Sequence, residues 1–223
     1  MMTVGLQSYT NAMSTPIGTF ERTQHWENIY SSKPFCEMSW YQDTPDQSLQ
    51  LLKETGVATD ASIVDIGGGD SLLVEHLLKE GYTRLSVLDI SAKAIERAKL
   101  RLGTKAGNVQ WICADMLNYE ADTSVDVWHD RAAFHFLREE GEIKKYVDLA
   151  AKAVAPGGFL IIGTFADDGP EKCSGIEIKR YSVPELTTTF ATSFRLLKAI
   201  SHLHKTPSGK LQHFNFCLFH RAD

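Results

Sequence analysis

An acidic residue followed by three glycines is the first feature of this chain whose residue types and spacing indicate chemistry. Asp65 lies near the end of a short apolar run, and the residues that follow its neighbour are Gly67, Gly68 and Gly69. An apolar run, a glycine cluster and a second apolar run are typical of a strand, a tight turn and a helix. Glycines allow the turn and let a ligand approach the backbone without meeting a Cβ atom.

The spacing of the glycines argues against a dinucleotide as the ligand. A dinucleotide-binding loop has a third small residue that lets the helix approach the strand, and Leu72 occupies that position here. A carboxylate at Asp65 gives nothing to a phosphate, whereas it favours a cationic group. The helix N-terminus behind the glycines favours a negative group. The loop therefore predicts a ligand that carries both signs of charge.

Two further acids follow later apolar runs. Asp89 ends the second run, and an acid at that position can accept hydrogen bonds from both hydroxyls of an adenosine ribose. Asp115 ends the third run beside the apolar Met116, a pair that suits the amino group and the ring face of adenine. The alternatives are a surface acid at Asp89 and an ordinary helix-capping role for Asp115.

A polar cluster follows the fourth apolar run, which ends at Trp128. Its members are His129, Asp130 and Arg131. Polar residues that face a ligand crevice are more often functional than not, so these three are predicted to be catalytic. The alternatives are a structural ion pair between Asp130 and Arg131 and a hydrogen-bonded histidine within the strand.

The elements that position these residues alternate between strands and helices. Strands are predicted over 62–66, 84–90, 108–113, 124–129 and 159–165, and helices over 20–30, 71–80 and 139–154. Ser91 and two capping boxes, at Thr44 and Ser182, mark further helix starts. The runs 194–203 and 211–220 predict an antiparallel hairpin. The predicted fold class is α/β, a doubly wound, Rossmann-like, mostly parallel sheet with a C-terminal hairpin, whose ligands bind at the carboxyl ends of the strands.

Bulk properties predict one globular domain over residues 19–223, preceded by a loosely ordered segment over 1–18. The 223 residues include 43% hydrophobic and 23% charged residues, and the net charge of -5 argues against nucleic acid as a partner. No apolar run approaches the roughly 20 residues that span a membrane. The four cysteines form no C-x-x-C motif, so reduced thiols in a cytoplasmic protein and no metal site are expected: Cys36, Cys113, Cys173 and Cys217.

The motifs together resemble those of class I S-adenosylmethionine (SAM)-dependent methyltransferases over roughly residues 20 to 221. The resemblance rests on the segments 64–69, 87–91, 113–116, 126–131 and 156–158. Ser71 replaces the last glycine of the family's D-x-G-x-G-x-G pattern. The resemblance implies SAM as cofactor, with Asp65 and the glycines 67–69 near its methionine end, Asp89 at its ribose, and Ile90, Asp115 and Met116 around its adenine. Trp40 is expected to close the pocket over the sulfonium, or else to pack the N-terminal segment.

The acceptor of the methyl group is less closely defined. His25-Trp26-x-x-x-Tyr30 followed by Trp40 resembles the opening of elongation-factor lysine methyltransferases. The segment 130–134 is similar both to theirs and to that of thiopurine-type S-methyltransferases. A protein lysine is the first expectation, and a small nitrogen, sulfur or metalloid nucleophile is the alternative. A non-catalytic SAM-binding module is a third hypothesis, against which the acids at 65, 89 and 115 argue.

The expected reaction is an in-line displacement at a sulfonium, which the enzyme assists by alignment and a dry site. Asp130 is predicted to orient or deprotonate the acceptor. Arg131 is predicted to brace Asp130 or to hold an acidic part of the substrate. Two of the cysteines, Cys36 and Cys173, fall in predicted loops that could overhang the site, although their spacing forms no motif.

Overall fold

The computed structural model describes residues 19–222, so the segment 1–18 lies outside the described part of the chain. The helices are α1 (Thr19–Ser32), α2 (Asp46–Thr55), α3 (Leu73–Lys79), α4 (Ala92–Leu102), α5 (Glu140–Ala153) and α6 (Val183–Phe190). The strands are β1 (Ser62–Ile66), β2 (Arg84–Asp89), β3 (Val109–Cys113), β4 (Val125–Arg131), β5 (Val154–Phe165), β6 (Lys172–Cys173), β7 (Ile176–Glu177), β8 (Phe194–Lys205) and β9 (Leu211–Arg221). No helix between residues 19 and 222 is long and apolar enough to cross a membrane.

Seven strands form one sheet in the order β3-β2-β1-β4-β5-β9-β8. Strands β1 to β5 are parallel, while β9 runs antiparallel to both of its neighbours, β5 and β8. The predicted α/β fold with a C-terminal hairpin is therefore confirmed. Successive connections leave β1 toward β2 on one side and return to β4 on the other, which opens a crevice at the carboxyl ends of β1 and β4.

Apolar side chains cover both faces of the sheet, as expected for parallel strands buried on both sides. Neighbouring residues of β4 show this alternation. Val127 packs in a core cluster with Leu52 of α2 and Leu77 of α3. Trp128 packs in the opposite cluster with Tyr146 of α5 and Phe190 of α6. The two clusters pack on opposite faces of the sheet and hold the strands in place, so the carboxyl ends of the strands form the base of the crevice.

Strand β4 continues two residues beyond its predicted end. Asp130 and Arg131 pair with Ile162 and Gly163 of β5, so both belong to the sheet rather than to a loop. Because both side chains are polar, the alternation of apolar residues did not extend to them, although their backbones form hydrogen bonds with β5. The side chains of this strand end are consequently held by the sheet, as a site on a rigid element requires.

Helix starts follow the predicted caps in two of three cases. Ser91 accepts a hydrogen bond from the Ala94 N–H, and the capping box between Ser182 and Glu185 is complete. The capping box predicted at Thr44 is wrong, because α2 begins after Pro45 and has no side-chain cap.

The short hairpin formed by β6 and β7, whose strands have two residues each, was not predicted. Each of its strands is too short to show a hydrophobic period, and its turn contains Ser174 and Gly175, both at positive φ. The hairpin places Cys173 in the wall of the crevice, where this thiol is buried.

Candidate functional site

A cavity lies at the carboxyl ends of β1, β2 and β4 and is closed on its other side by α1 and the segment that precedes α2. The cavity and its mouth enclose about 1160 Å³ of space that protein atoms do not occupy. The predicted site residues in its wall are Trp40, Asp65, Gly67, Gly68, Asp89, Ile90, Met116, His129 and Arg131. Three predicted residues, Gly69, Asp115 and Asp130, lie outside the wall.

Gly67 begins the glycine loop with a backbone that a side chain would strain. Its φ is +65°, in the left-handed region that favours glycine. An ideal Cβ atom on Gly67 would lie 2.7 Å from the Cβ atom of Ala133, closer than carbon atoms approach. Ser71 replaces the family's last glycine, and its hydroxyl accepts a hydrogen bond from the N–H of Leu73, the first residue of α3.

The other two glycines make room for carboxylates. A Cβ atom on Gly68 would overlap the carboxylate of Asp65, and one on Gly69 would overlap the carboxylate of Asp89. Gly69 therefore contributes to the site indirectly, because its missing side chain lets the Asp89 carboxylate pack against the loop. The two acids flank the loop closely, as a cationic ligand requires.

Asp89 lies in the wall with one carboxylate oxygen already fixed. Its Oδ1 accepts a hydrogen bond of 2.8 Å from the Ser91 N–H. Burial raises the pKa of the Asp89 carboxyl to about 7, against the lowering effect of the Ser91 N–H. A carboxylate so poorly solvated gains from any ligand hydroxyl that donates to it, which agrees with the predicted ribose site.

Asp115 is used to anchor α1. Its Oδ2 forms an ion pair of 3.1 Å with Arg22, and its Oδ1 accepts from the Leu117 N–H at 2.9 Å. Arg22 also pairs with Glu142 of α5 at 2.7 Å. Asp115 thus anchors α1 and lies outside the cavity wall, whereas Met116 is part of the wall, and the prediction that Asp115 contacts adenine stays a prediction.

His129 is fixed from both sides. Its Nδ1 lies 2.7 Å from Asp65 Oδ1 on the adjacent strand, and its Nε2 lies 2.8 Å from Ser48 Oγ on α2. A carboxylate accepts hydrogen bonds, so Nδ1 is the donor to Asp65, while the hydrogen bond between Nε2 and the Ser48 hydroxyl can run in either direction. The ring therefore positions neighbouring groups in the wall. Ser48, which was not predicted, completes this chain.

Asp130 is fully buried and faces away from the cavity. Its carboxylate accepts hydrogen bonds from the Tyr146 hydroxyl at 2.6 Å and from the N–H groups of Ala133 and Phe134 at 2.9 and 3.1 Å. Burial raises the pKa of the Asp130 carboxyl to about 6, while these donors lower it. The prediction that Asp130 acts on the acceptor is replaced by a structural role, in which it holds Ala133 against Gly67.

Arg131 lies in the wall without a carboxylate partner among the described residues. Its Nη1 donates to the Trp40 carbonyl at 3.1 Å, and its guanidinium carbon lies 5.0 Å from the centre of the Phe214 ring. Its Nε and Nη2 are buried and have no hydrogen-bond partner within residues 19–222. Burial lowers the pKa of Arg131 to about 10. The predicted ion pair with Asp130 does not form.

Aromatic residues of α1 and the following loop complete the wall, and sequence reasoning missed this role for the residues of α1. Trp26 lies edge-on to Trp40 and to Phe136, with ring centres 5.9 and 5.1 Å apart. Tyr30 joins them in the wall. The four-residue spacing of Trp26 and Tyr30 predicted one face of a helix, which is a signal of packing rather than of ligand binding.

Comparison with known proteins shows that the chain is similar to methyltransferases. Residues 63–158 match a methyltransferase domain. Nodulation protein S of Bradyrhizobium diazoefficiens is 27% identical over 122 residues, which cover 55% of this chain and 56% of that protein. EEF1A lysine methyltransferase 2 of Danio rerio is 26% identical over 161 residues, which cover 62% and 66% of the two chains. The chain thus spans little more than half the length of the nodulation protein that it matches.

The fold is also that of a solved structure. N-methyltransferase NodS from Bradyrhizobium japonicum WM9, in complex with S-adenosyl-L-homocysteine (SAH), superposes with a TM-score of 0.69 at 18% identity. The superposition covers 90% of this chain and 99% of the NodS chain. Residues 63–158 thus match a methyltransferase domain, and the motifs and sheet order of the chain are those of class I SAM-dependent methyltransferases.

Proposed function

We propose that the protein transfers a methyl group from SAM to a nucleophile held beside Arg131. The observation that carries the proposal is that one cavity joins the glycine loop and Asp89 to the carboxyl end of β4. Cofactor and acceptor can then share a space that the aromatic wall separates from water. SAM, when bound, supplies the methyl group as an activated sulfonium.

The residues of the loop suit this cofactor. Asp65 and Asp89 stand directly against Gly68 and Gly69 and favour a ligand with cationic groups and ribose hydroxyls. Ile90 and Met116 offer apolar contacts for an adenine ring. The predicted cofactor-binding roles of these residues remain part of the proposal.

The contribution of the protein to the reaction is alignment and a dry site, which in well-oriented reactions is worth up to about 7–11 kcal/mol. The aromatic residues Trp26, Trp40 and Phe136 exclude water from the wall. Arg131 is the charged group at the acceptor end, since Asp130 faces away. A cation there favours the deprotonated form of an arriving thiol or amine, which is the form that carries the reactive lone pair.

Two acceptor classes remain, and each has its own support. The alignment with EEF1A lysine methyltransferase 2 supports a protein lysine, the first expectation. The alignment with nodulation protein S and the likeness to the N-methyltransferase NodS support a nitrogen acceptor, which the alternative of a small nitrogen nucleophile includes. The charge of Arg131 repels any protonated amine on entry, and a small acceptor that also carries a negative group offsets this repulsion, so we favour the small nucleophile.

Calorimetry and radiolabelling test the proposal together. SAH is titrated into the protein, and tritium from methyl-labelled SAM is then followed in a cell lysate with added enzyme. We expect SAH to bind and the label to appear in the small-molecule fraction, whereas label in protein would indicate a lysine acceptor. Binding without transfer in any fraction would leave a non-catalytic SAM-binding module, and absence of SAH binding would contradict the cofactor assignment.

Cofactor affinity is expected to depend on pH through Asp89. Ribose hydroxyls donate to its ionised form, so binding must displace a proton at any pH below the pKa of about 7. Methylthioadenosine, which lacks the ammonium and carboxylate of SAM, isolates this effect in calorimetry. Its affinity should rise about tenfold per unit as the pH increases toward 7, and level off above 7.

The matched variant is Asp89→Asn, which keeps the shape of the side chain and cannot ionise. At pH 8 its affinity for methylthioadenosine should be weaker than that of the wild-type protein. The affinity of the variant itself should not change between pH 6 and pH 8. A flat pH profile for the wild-type protein would remove Asp89 from the ribose site.

A further inference from the structure

Arg131 has hydrogen-bonding capacity that the described part of the protein does not use. A guanidinium carries five N–H donors. One nitrogen, Nη1, donates to the Trp40 carbonyl, and the ring of Phe214 covers one face of the group. The buried Nε and Nη2 have no partner. A buried charge without a partner is expensive, so its retention in a cavity wall points to a ligand that completes it.

The acids nearest to Arg131 are committed elsewhere. Asp65 holds His129, and Asp130 holds Tyr146 and two backbone N–H groups. The thiol of Cys173 faces the same cavity, but burial raises its pKa to about 11 and keeps it neutral. Within residues 19–222, Asp65 is the carboxylate whose charge raises the pKa of Arg131, and it is paired with His129. A molecule that enters the cavity can supply the direct negative partner that these residues do not.

The arrangement of the unused N–H donors of Arg131 indicates which kind of anion this residue binds. Nε and Nη2 are bonded to the same carbon and present parallel N–H groups, a pair that matches the two oxygens of a carboxylate. The guanidinium group of Arg131 that carries these nitrogens lies over the ring of Phe214 on β9. That position lies on the β5–β9 side of the cavity, whereas Asp89 and Ile90 lie on the β2 side.

We infer that Arg131 is a specificity-determining residue that binds a carboxylate of the acceptor, so that the acceptor is a small amine or thiol that also carries a carboxylate. This inference rests on the proposed function and narrows its acceptor. Trp40 and Phe136 supply apolar surface for the body of such a molecule. The cofactor is the other source of a carboxylate, and the experiment below separates the two.

The test uses the SAH-saturated protein and two pairs of probes that differ in charge but not in shape. Acetate is compared with acetamide, and benzoate with benzamide, by calorimetric titration. We expect the smaller or the larger carboxylate to bind roughly ten- to a hundredfold more tightly than its amide, the ratio that charge-assisted hydrogen bonds supply. Equal binding within both pairs, or no binding of either carboxylate, would overturn the inference while leaving SAH binding intact.

Variants of Arg131 identify the group responsible. Arg131→Met should abolish the preference for the carboxylate and leave SAH affinity within about twofold, and Arg131→Lys should retain part of the preference as a point charge. The control is Arg138→Met, which removes an arginine paired with Glu177 at the surface and should change neither affinity. A tenfold loss of SAH affinity in Arg131→Met would assign the carboxylate to the cofactor and refute the acceptor subsite.

Thermal unfolding separates ligand binding from a structural role. Met is similar in length and replaces an unpaired buried charge with an apolar group, so Arg131→Met should unfold at the same or a higher temperature than the wild type. A lower unfolding temperature together with an unchanged preference for the carboxylate would show that Arg131 serves the fold alone. Failure of SAH to bind to the wild-type protein would instead count against the proposed function itself.

Discussion

Replacement of Gly67 with valine is expected to abolish cofactor binding and to lower the free energy of unfolding. The left-handed backbone at this position costs a residue with a Cβ atom about 1–2 kcal/mol. The contact with Ala133 adds an overpacking cost of about 1–3 kcal/mol. Relief of that contact moves the loop that lines the cavity, so the affinity for SAH should fall at least about a hundredfold, or roughly 2.7 kcal/mol.

A matched variant isolates the effect on the site. Gly56, which ends α2, has a φ of +70° and no atom within 4 Å of a Cβ built on it, and it is not part of the cavity wall. Gly56→Val should therefore show the backbone cost alone and bind SAH normally. If Gly67→Val is folded by circular dichroism and still binds SAH as tightly as the wild type, the glycine loop is not the cofactor site.

Replacement of Asp130 with asparagine is expected to destabilise the fold far more than it slows the reaction. Oδ1 accepts from both N–H groups and the amide oxygen can take its place, so the NH₂ group meets the Tyr146 hydroxyl instead of Oδ2. Loss of this one bond to a charged acceptor predicts a decrease in unfolding free energy of about 1.5–3 kcal/mol in a urea titration. Turnover per folded molecule should fall by less than about tenfold, whereas loss of a general base costs about 10²–10⁴.

Two further variants make the structural role of Asp130 measurable. Tyr146→Phe removes one of its donors, so the double mutant should show a coupling energy of about 0.5–3 kcal/mol with Asp130→Asn. Asp126→Asn, near the amino end of the same strand, removes charge from an acid that binds only the backbone and hydroxyl of Ser62. It should cost less stability. A large fall in turnover with an unchanged free energy of unfolding would restore Asp130 as a catalytic base.

The sheet and the glycine loop were predictable because local patterns determine them. The predicted strands 62–66 and 84–90 agree with β1 and β2 to within one residue, since an apolar run bounded by turn residues marks both ends. The end of β4 was not predictable in this way. Its last residues, Asp130 and Arg131, are polar, and their membership of the strand depends on pairing with β5, which is distant in the sequence.

The roles of the predicted site residues depended on partners that the sequence does not reveal. Asp130 and Arg131 are adjacent, so alternation along the strand points their side chains to opposite faces and excludes the ion pair that adjacency suggested. Tyr146, the partner of Asp130, lies on α5, and Arg22, the partner of Asp115, lies on α1. Residue type and position at a strand end located the cavity, whereas the direction of each side chain came only from tertiary packing.

Helix α1 also affects how long the protein retains a spent cofactor. It contributes Arg22, Trp26 and Tyr30 to the cavity wall, and it is tied to the sheet through the ion pairs of Arg22 and through Glu27, which accepts from the Ala92 N–H. The ion pairs of Arg22 are largely buried, so dissolved salt screens them only weakly. We therefore expect the residence time of SAH, and with it the extent of product inhibition, to vary little with ionic strength.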